Sequence, residues 1–242
     1  MKPLATLAFL TVSILMADPA AADVQNDEVT PTGWWWLTDV DTQEIQEKID
    51  EGFRMVDIEI DDYSPLRITA AFVKNSGPYA TGWWWYPYKS AQQISNLMAQ
   101  NNARLIDLEP FSTPWGMRYA CLMIPNTGSE AAVDHDFEVG LTSTQLDAWF
   151  DQYRSSRRIV DIQPYTLNGQ TRFAFIWVAN TGALASSWRV WVESSWQEML
   201  DKLDETNSRL IDIEEYGGLY AGVMVPKDGN SWYQMVGAAM GQ

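Results

Sequence analysis

The 242-residue sequence has one cysteine, Cys121, one histidine, His135, and half as many basic as acidic side chains, 16 against 32. A lone cysteine excludes an intramolecular disulfide framework, so the core must hold by packing alone. An exposed lone thiol is a liability in an oxidising compartment, so Cys121 is expected in the interior. A single histidine excludes a multi-His metal site. The net charge of −16 repels phosphate backbones and anionic lipid, which disfavours nucleic acid and membrane surfaces as partners. Long apolar runs are scarce too, and beyond the N-terminus none reaches bilayer-spanning length.

The N-terminal run has a specific reading. Lys2 gives a positive start, Leu4 to Met16 is almost wholly apolar, and Ala20-Ala21-Ala22 precedes polar Asp23. That order of regions predicts a secretory signal peptide over 1–22, hence a secreted or periplasmic protein with no membrane insertion after cleavage. No cysteine lies near the cleavage point, so lipoprotein processing is not expected. Residues 23–32 read as a polar leader. The remainder, 33–242, reads as a single repeat domain.

What the chain has in excess is tryptophan, 13 residues, and periodicity. One segment occurs four times: Arg54-Met55-Val56-Asp57-Ile58-Glu59, Arg104-Leu105-Ile106-Asp107-Leu108-Glu109, Arg158-Ile159-Val160-Asp161-Ile162-Gln163 and Arg209-Leu210-Ile211-Asp212-Ile213-Glu214. The arginines are 50, 54 and 51 residues apart, a near-constant period that marks a repeat array. About 14 residues before each arginine stands a helix start. Asp41 with Glu44, Ser90 with Gln93, Thr142 with Gln145 and Ser195 with Glu198 have capping-box spacing. Apolar residues follow at helical intervals, such as Ile94, Leu97 and Met98, so each unit carries one amphipathic helix of about three turns.

The arginine segments read as strands, and each is followed by a second: Arg67 to Val73, Arg118 to Ile124, Arg172 to Val178 and Leu219 to Val225. In the third unit Asn168-Gly169 predicts a two-residue hairpin turn, which pairs Tyr165 with Arg172 and Gln163 with Ala174. Glu59 and Glu109 occupy the place of Gln163 in the first two units, beside Arg67 and Arg118, and cross-strand charge pairs are expected there. Asn75-Ser76-Gly77, Asn126-Thr127-Gly128 and Asn180-Thr181-Gly182 read as turns. An aromatic strand then opens the next unit. The openers are Trp34-Trp35-Trp36, Trp83-Trp84-Trp85, Phe137-Glu138-Val139 and Trp188-Arg189-Val190-Trp191. A fifth, Trp232-Tyr233-Gln234-Met235, reads as a closing strand over 231–236 that covers an edge. The expected architecture is α+β: four strand–helix–strand–strand units, about 33–80, 81–134, 135–186 and 187–230. They would share a curved, mostly antiparallel sheet, a partial or closed barrel, with helices packed on it.

The third unit, Gly140-Leu141-Thr142 through Arg158-Ile159-Val160-Asp161 to Asn168-Gly169-Gln170-Thr171-Arg172-Phe173-Ala174, resembles the bacterial tandem repeat, or polyglycine-hydrolase-like structural repeat. The second unit looks like a Trp-rich version of it. In that family the array often precedes a β-lactamase-like serine hydrolase domain. The repeats use up the length of this sequence, so that domain and its activity are not expected here.

The catalytic search agrees. None of the six lysines has a serine three positions before it, and no Gly-x-Ser-x-Gly elbow occurs, so neither nucleophile motif is present. His135, within Asp134-His135-Asp136, reads as a surface-loop histidine between units. Cys121 aligns with Ala70, Phe175 and Gly222 and reads as an inward strand position. Asp57, Asp107, Asp161 and Asp212 recur once per unit with Arg54, Arg104, Arg158 and Arg209, as structural positions do. The aspartates are expected to bond a turn or helix end. Asp57, Glu59, Asp61 and Asp62 form an acidic patch that could hold Ca²⁺ weakly, although a solvated loop is the simpler reading. No catalytic residue, metal ligand or cofactor is assigned.

Recognition is left to the tryptophans. Trp34, Trp36, Trp83 and Trp85 point one way along their strands, and Trp35 and Trp84 the other. Either both faces are covered, or exposed rings line a groove that stacks on a ligand. The functional expectation is a secreted, non-catalytic module that binds a cell-wall polysaccharide, a Gly-rich peptide or a partner protein. The alternative is a serine hydrolase or its accessory subunit.

Overall fold

The computed structural model describes residues 33–77, 80–128 and 131–227. The expected segments 1–22, 23–32 and 231–236 lie outside the described residues. Each unit runs strand, helix, strand, strand. The first comprises β1 (Trp34–Val40), α1 (Thr42–Asp50), β2 (Phe53–Tyr63) and β3 (Leu66–Lys74), and the second β4 (Trp84–Lys89), α2 (Ala91–Asn101), β5 (Ala103–Thr113) and β6 (Gly116–Pro125). The third comprises β7 (His135–Leu141), α3 (Ser143–Tyr153), β8 (Arg157–Leu167) and β9 (Gln170–Ala179). The fourth comprises β10 (Arg189–Ser194), α4 (Trp196–Glu205), β11 (Ser208–Tyr216) and β12 (Leu219–Pro226). Among the described residues no helix is long and apolar enough to cross a membrane.

All four helices start where the capping boxes lie, and in each the box is reciprocal. In α1, Asp41 Oδ1 accepts from the backbone N–H of Gln43 and Glu44, while the Glu44 carboxylate accepts from the N–H of Asp41. Each such cap is worth about 1 kcal/mol, which matters in helices of only 9 to 11 residues. The helices bury a narrow apolar stripe: Ile45; Ile94 and Met98; Leu146 and Trp149; Met199 and Leu203.

The α+β class and the four units stand, and the sheet is divided into four three-stranded antiparallel sheets, one per unit. No barrel closes among the described residues. The order β1-β3-β2 and its equivalents put the hairpin's second strand in the middle and the arginine-bearing strand at an edge. The third hairpin has the expected register: Asn168 and Gly169 both take positive φ, 52° and 73°, and Tyr165 faces Arg172 while Gln163 faces Ala174.

One device was not foreseen. Beyond Asp161 the register slips, because Ile159 faces Trp177 and Val160 is an extra residue. The same bulge sits at Val56, Ile106 and Ile211. A bulge resets the alternation of a strand. Leu105 and Leu108 therefore both face α2, while Arg104, Asp107 and Glu109 all face away from it. Simple alternation would have put Asp107 in the core with Leu105.

Each sheet thus has a helix face and a back face, and the units stack face to back. Met55, Ile58, Ile68 and Phe72 from the helix face of the first unit share a core with Ala120, Leu122, Trp83 and Trp85 from the back of the second. Leu105, Leu108, Cys121 and Met123 receive Phe137, Val139, Ala174 and Ile176 from the third. Ile159, Ile162, Phe173 and Phe175 receive Trp188, Val190, Ala221 and Val223 from the fourth. The crossings are held by the turn asparagines. Asn126 Oδ1 accepts from the N–H of Ala132 and its Nδ2 donates to Ala132 O, and Asn75 does the same with Thr81.

Candidate functional site

Stacking brings the four arginine-bearing strands side by side: β2 beside β5, β5 beside β8, and β8 beside β11. Each is an edge strand, so its outward N–H groups lack a ladder partner. The recurring aspartates supply one. Asp107 Oδ2 accepts from the backbone N–H of Ile58 at 2.7 Å, and Asp212 Oδ2 from that of Ile162 at 2.7 Å. These bonds join one unit to the next, which for Asp107 and Asp212 corrects the expectation that the aspartates serve a turn or helix end within their own unit. That expectation considered a unit by itself, where the edge amide has no visible partner.

Two residues further on, the array curls round a common axis. Carboxylate oxygens of Glu59, Glu109 and Glu214, from the first, second and fourth units, all lie within 4.8 Å of one another. Gln163 completes the set, its Nε2 donating to Glu214 Oε1 at 3.1 Å. Glu109 is only 6% exposed, and its Oε1 is buried with no hydrogen-bond partner. Burial, then mutual repulsion, pushes these acids up: Glu59 to about 7 and Glu214 to about 10, with Glu109 well above its usual range. Burial likewise raises Asp107 and Asp161 far above normal, and Asp212 to about 7.

The expected Glu–Arg pairs do not form. Arg67 pairs with Asp39 at 3.0 Å, and Arg118 Nη1 donates to Met117 O, because Glu59 and Glu109 turn to the axis. The acidic patch of the first unit also disperses. Asp61 accepts from Thr69 Oγ1 and Asp62 from the N–H of Ser64, while Glu59 joins carboxylates of other units.

The arginines mark the other end of the same strands. Arg104, Arg158 and Arg209 line a cavity of about 390 Å³ with Val160 and Ile211. Arg158 Nε donates to Leu184 O at 2.7 Å, so this side chain ties its strand to the connection that leads into the fourth unit.

The tryptophans divide by unit. Trp34 and Trp36 are paired with Val73 and Ala71 on the back face of the first sheet. The equivalent positions are Trp83 and Trp85, His135 and Phe137, and Trp188 and Val190, which pack between units. Trp188 is 7% exposed, whereas Trp34 and Trp36 are 61% and 67% exposed. Among the described residues no unit lies on that back face. Trp35 is on the other face, under Lys48 Nζ at 4.0 Å from its ring centre. Trp83, Trp84 and Trp85 are half-buried. Trp115, at the tip of the β5–β6 hairpin, is 78% exposed; lying outside the triplets, it was not singled out in the sequence.

Cys121 is fully buried opposite Leu108, as Ala70, Phe175 and Gly222 stand opposite Ile58, Ile162 and Ile213. Burial raises its thiol to about 12. His135 is not in a loop but opens β7 opposite Val178. It is half-buried and lines a cavity with Met98, Ala99 and Asn102 of the second unit, at the strand position that tryptophan fills elsewhere. Its polar neighbours Asp134 and Asp136 disguised that role in the sequence.

No curated protein and no solved structure matches the chain. Residues 137–180 match the family model of the polyglycine hydrolase-like structural repeat. Those residues span the third unit almost end to end, so this unit is similar to the polyglycine hydrolase-like structural repeat, and the other three units share its strand–helix–strand–strand build.

Proposed function

We propose that the protein is a secreted, non-catalytic binding module whose recognition surface is the uncovered back face of the first unit, centred on Trp34 and Trp36. The observation that carries this reading is the contrast within the repeat. The same positions in later units are filled against a neighbour, and only in the first are they open among the described residues. An aromatic side chain buries about 150–250 Å², and at about 25 cal/mol per Å² covering it returns several kcal/mol. A face of two such rings is a strong acceptor for an apolar occupant.

Every other copy of this face receives protein side chains, so a partner polypeptide is the occupant the geometry favours over a cell-wall glycan or Gly-rich peptide. The acidic surface adds a preference for cationic partners. The non-catalytic part of the reading rests on the sequence, which has no nucleophile–base motif, and on Cys121 and His135 having packing positions. Intrinsic fluorescence titration against a panel of basic peptides, Gly-rich peptides and glycans tests it. A saturable response that Trp34→Ala/Trp36→Ala abolishes supports the module. Hydrolysis of a peptide or ester by the purified chain, lost in His135→Ala, would replace it with the hydrolase reading.

A further inference from the structure

We propose that the axial cluster of Glu59, Glu109 and Glu214, with Gln163, is a site for a single hard divalent cation of Ca²⁺ size that ties the first unit to the fourth. The carboxylate donors come from the first, second and fourth units and are oxygen only, while Gln163 of the third unit holds Glu214 in place through its Nε2. Oxygen-only sets select Ca²⁺ or Mg²⁺ over the softer transition metals. The spacing suits the larger ion. Ca²⁺–oxygen distances of about 2.3–2.6 Å place ligands on opposite sides of the ion roughly 4.6–5.2 Å apart, and the three carboxylates reach across at most 4.8 Å.

A cluster of acids alone would not carry this. The second observation is Glu109, nine-tenths buried, whose carboxylate reaches into the cluster and whose Oε1 has no hydrogen-bond partner. A buried carboxylate oxygen without a donor is costly, more so when charged, and a cation bound at the cluster would remove that cost for Glu109. The ion pairs between described residues are Lys48–Glu51, Arg67–Asp39, Arg157–Asp134 and Lys202–Glu205, and none of them reaches the cluster. Glu59 and Glu214 are only part-buried, which leaves a way in from their side.

The site also has a structural purpose. Packed cores join the first unit to the second, the second to the third and the third to the fourth. Among the described residues, the fourth unit's core of Met199, Leu203 and Met224 draws on its own unit. A cation shared by Glu59 and Glu214 would join the first unit to the fourth, which no core cluster of the described residues does.

The competing arrangement is proton sharing, with Glu59 and Glu214 hydrogen-bonded to each other. Calorimetric titration of the full chain, stripped with chelator, with Ca²⁺ and separately Mg²⁺ at neutral pH separates the two. The expected result is one saturable Ca²⁺ site, tighter than Mg²⁺, with a rise in melting temperature that chelator reverses. Glu109→Gln should weaken it at least about tenfold, since even groups that merely orient metal ligands give that loss. Gln163→Glu, which adds a fourth carboxylate, should tighten it. The proposal is overturned if no cation binds or shifts the melting temperature, or if binding is unchanged in both variants, which would place the ion elsewhere on the acidic surface.

Discussion

Asp107 Oδ2 holds the backbone N–H of Ile58 at 2.7 Å across 49 residues of sequence, and Asp212 holds Ile162 in the same way across 50. The repeat period is thereby written into a hydrogen bond. In these two units the aspartate satisfies the edge strand of the unit before it, and the bulge one residue upstream aims it there. In the second and fourth units the residue that most clearly marks the repeat is therefore also one that joins it to its neighbour.

Asp107→Ala should destabilise the fold by about 1–3 kcal/mol, the usual cost of leaving a buried N–H without its acceptor. Asp107→Asn keeps an acceptor and cannot ionise in the acidic interior, so it should cost less than the alanine. Urea denaturation of the two variants checks the order; equal losses would show that the bond to Ile58 contributes nothing.

Cys121 should be inert in the native state. Burial holds its thiol at about 12, so almost no thiolate exists near pH 8, and thiolate is the reactive form. A thiol reagent should label the protein only as fast as it unfolds. Rapid stoichiometric labelling under native conditions would contradict the packing of the second unit.

His135 should titrate below the ordinary 6.5, because burial disfavours its charged form more than Asp136 and Asp134 favour it. Folding therefore prefers the neutral ring. The stability this contributes is complete above pH 6.5 and is lost as pH falls through the lowered value. A proton NMR titration of the single histidine reads this directly, and a midpoint above 6.5 would contradict the half-buried position in β7.

Much of the unit was legible from local chemistry. The reciprocal caps at Ser90–Gln93 and its counterparts, the Asn168-Gly169 turn with its register, and the interior place of Cys121 all depend on residues near in sequence or paired across one hairpin. What was not legible depends on how units meet. The bulges at Val56, Ile106, Val160 and Ile211 leave no mark in composition, yet they turn Asp and Glu away from the helix. The cluster of Glu59, Glu109 and Glu214 had a faint signal, a glutamate two residues after the aspartate in three units, with Gln163 the exception. Its convergence needs the curl of the whole array, which no single unit's periodicity contains. The exposure of Trp34 and Trp36 is of the same kind: their sequence differs little from Trp83 and Trp85, and only the absence of a stacked neighbour among the described residues separates them.

The claim on which the account turns is that the back face of the first unit is open. Acrylamide quenching of tryptophan fluorescence in the full chain tests it, comparing Trp34→Phe/Trp36→Phe with Trp188→Phe. The account predicts that the double substitution removes much of the readily quenched emission, while Trp188→Phe leaves that fraction unchanged. If the double substitution leaves the quenched fraction as it was, the face is covered in the protein and the binding surface proposed for it does not exist.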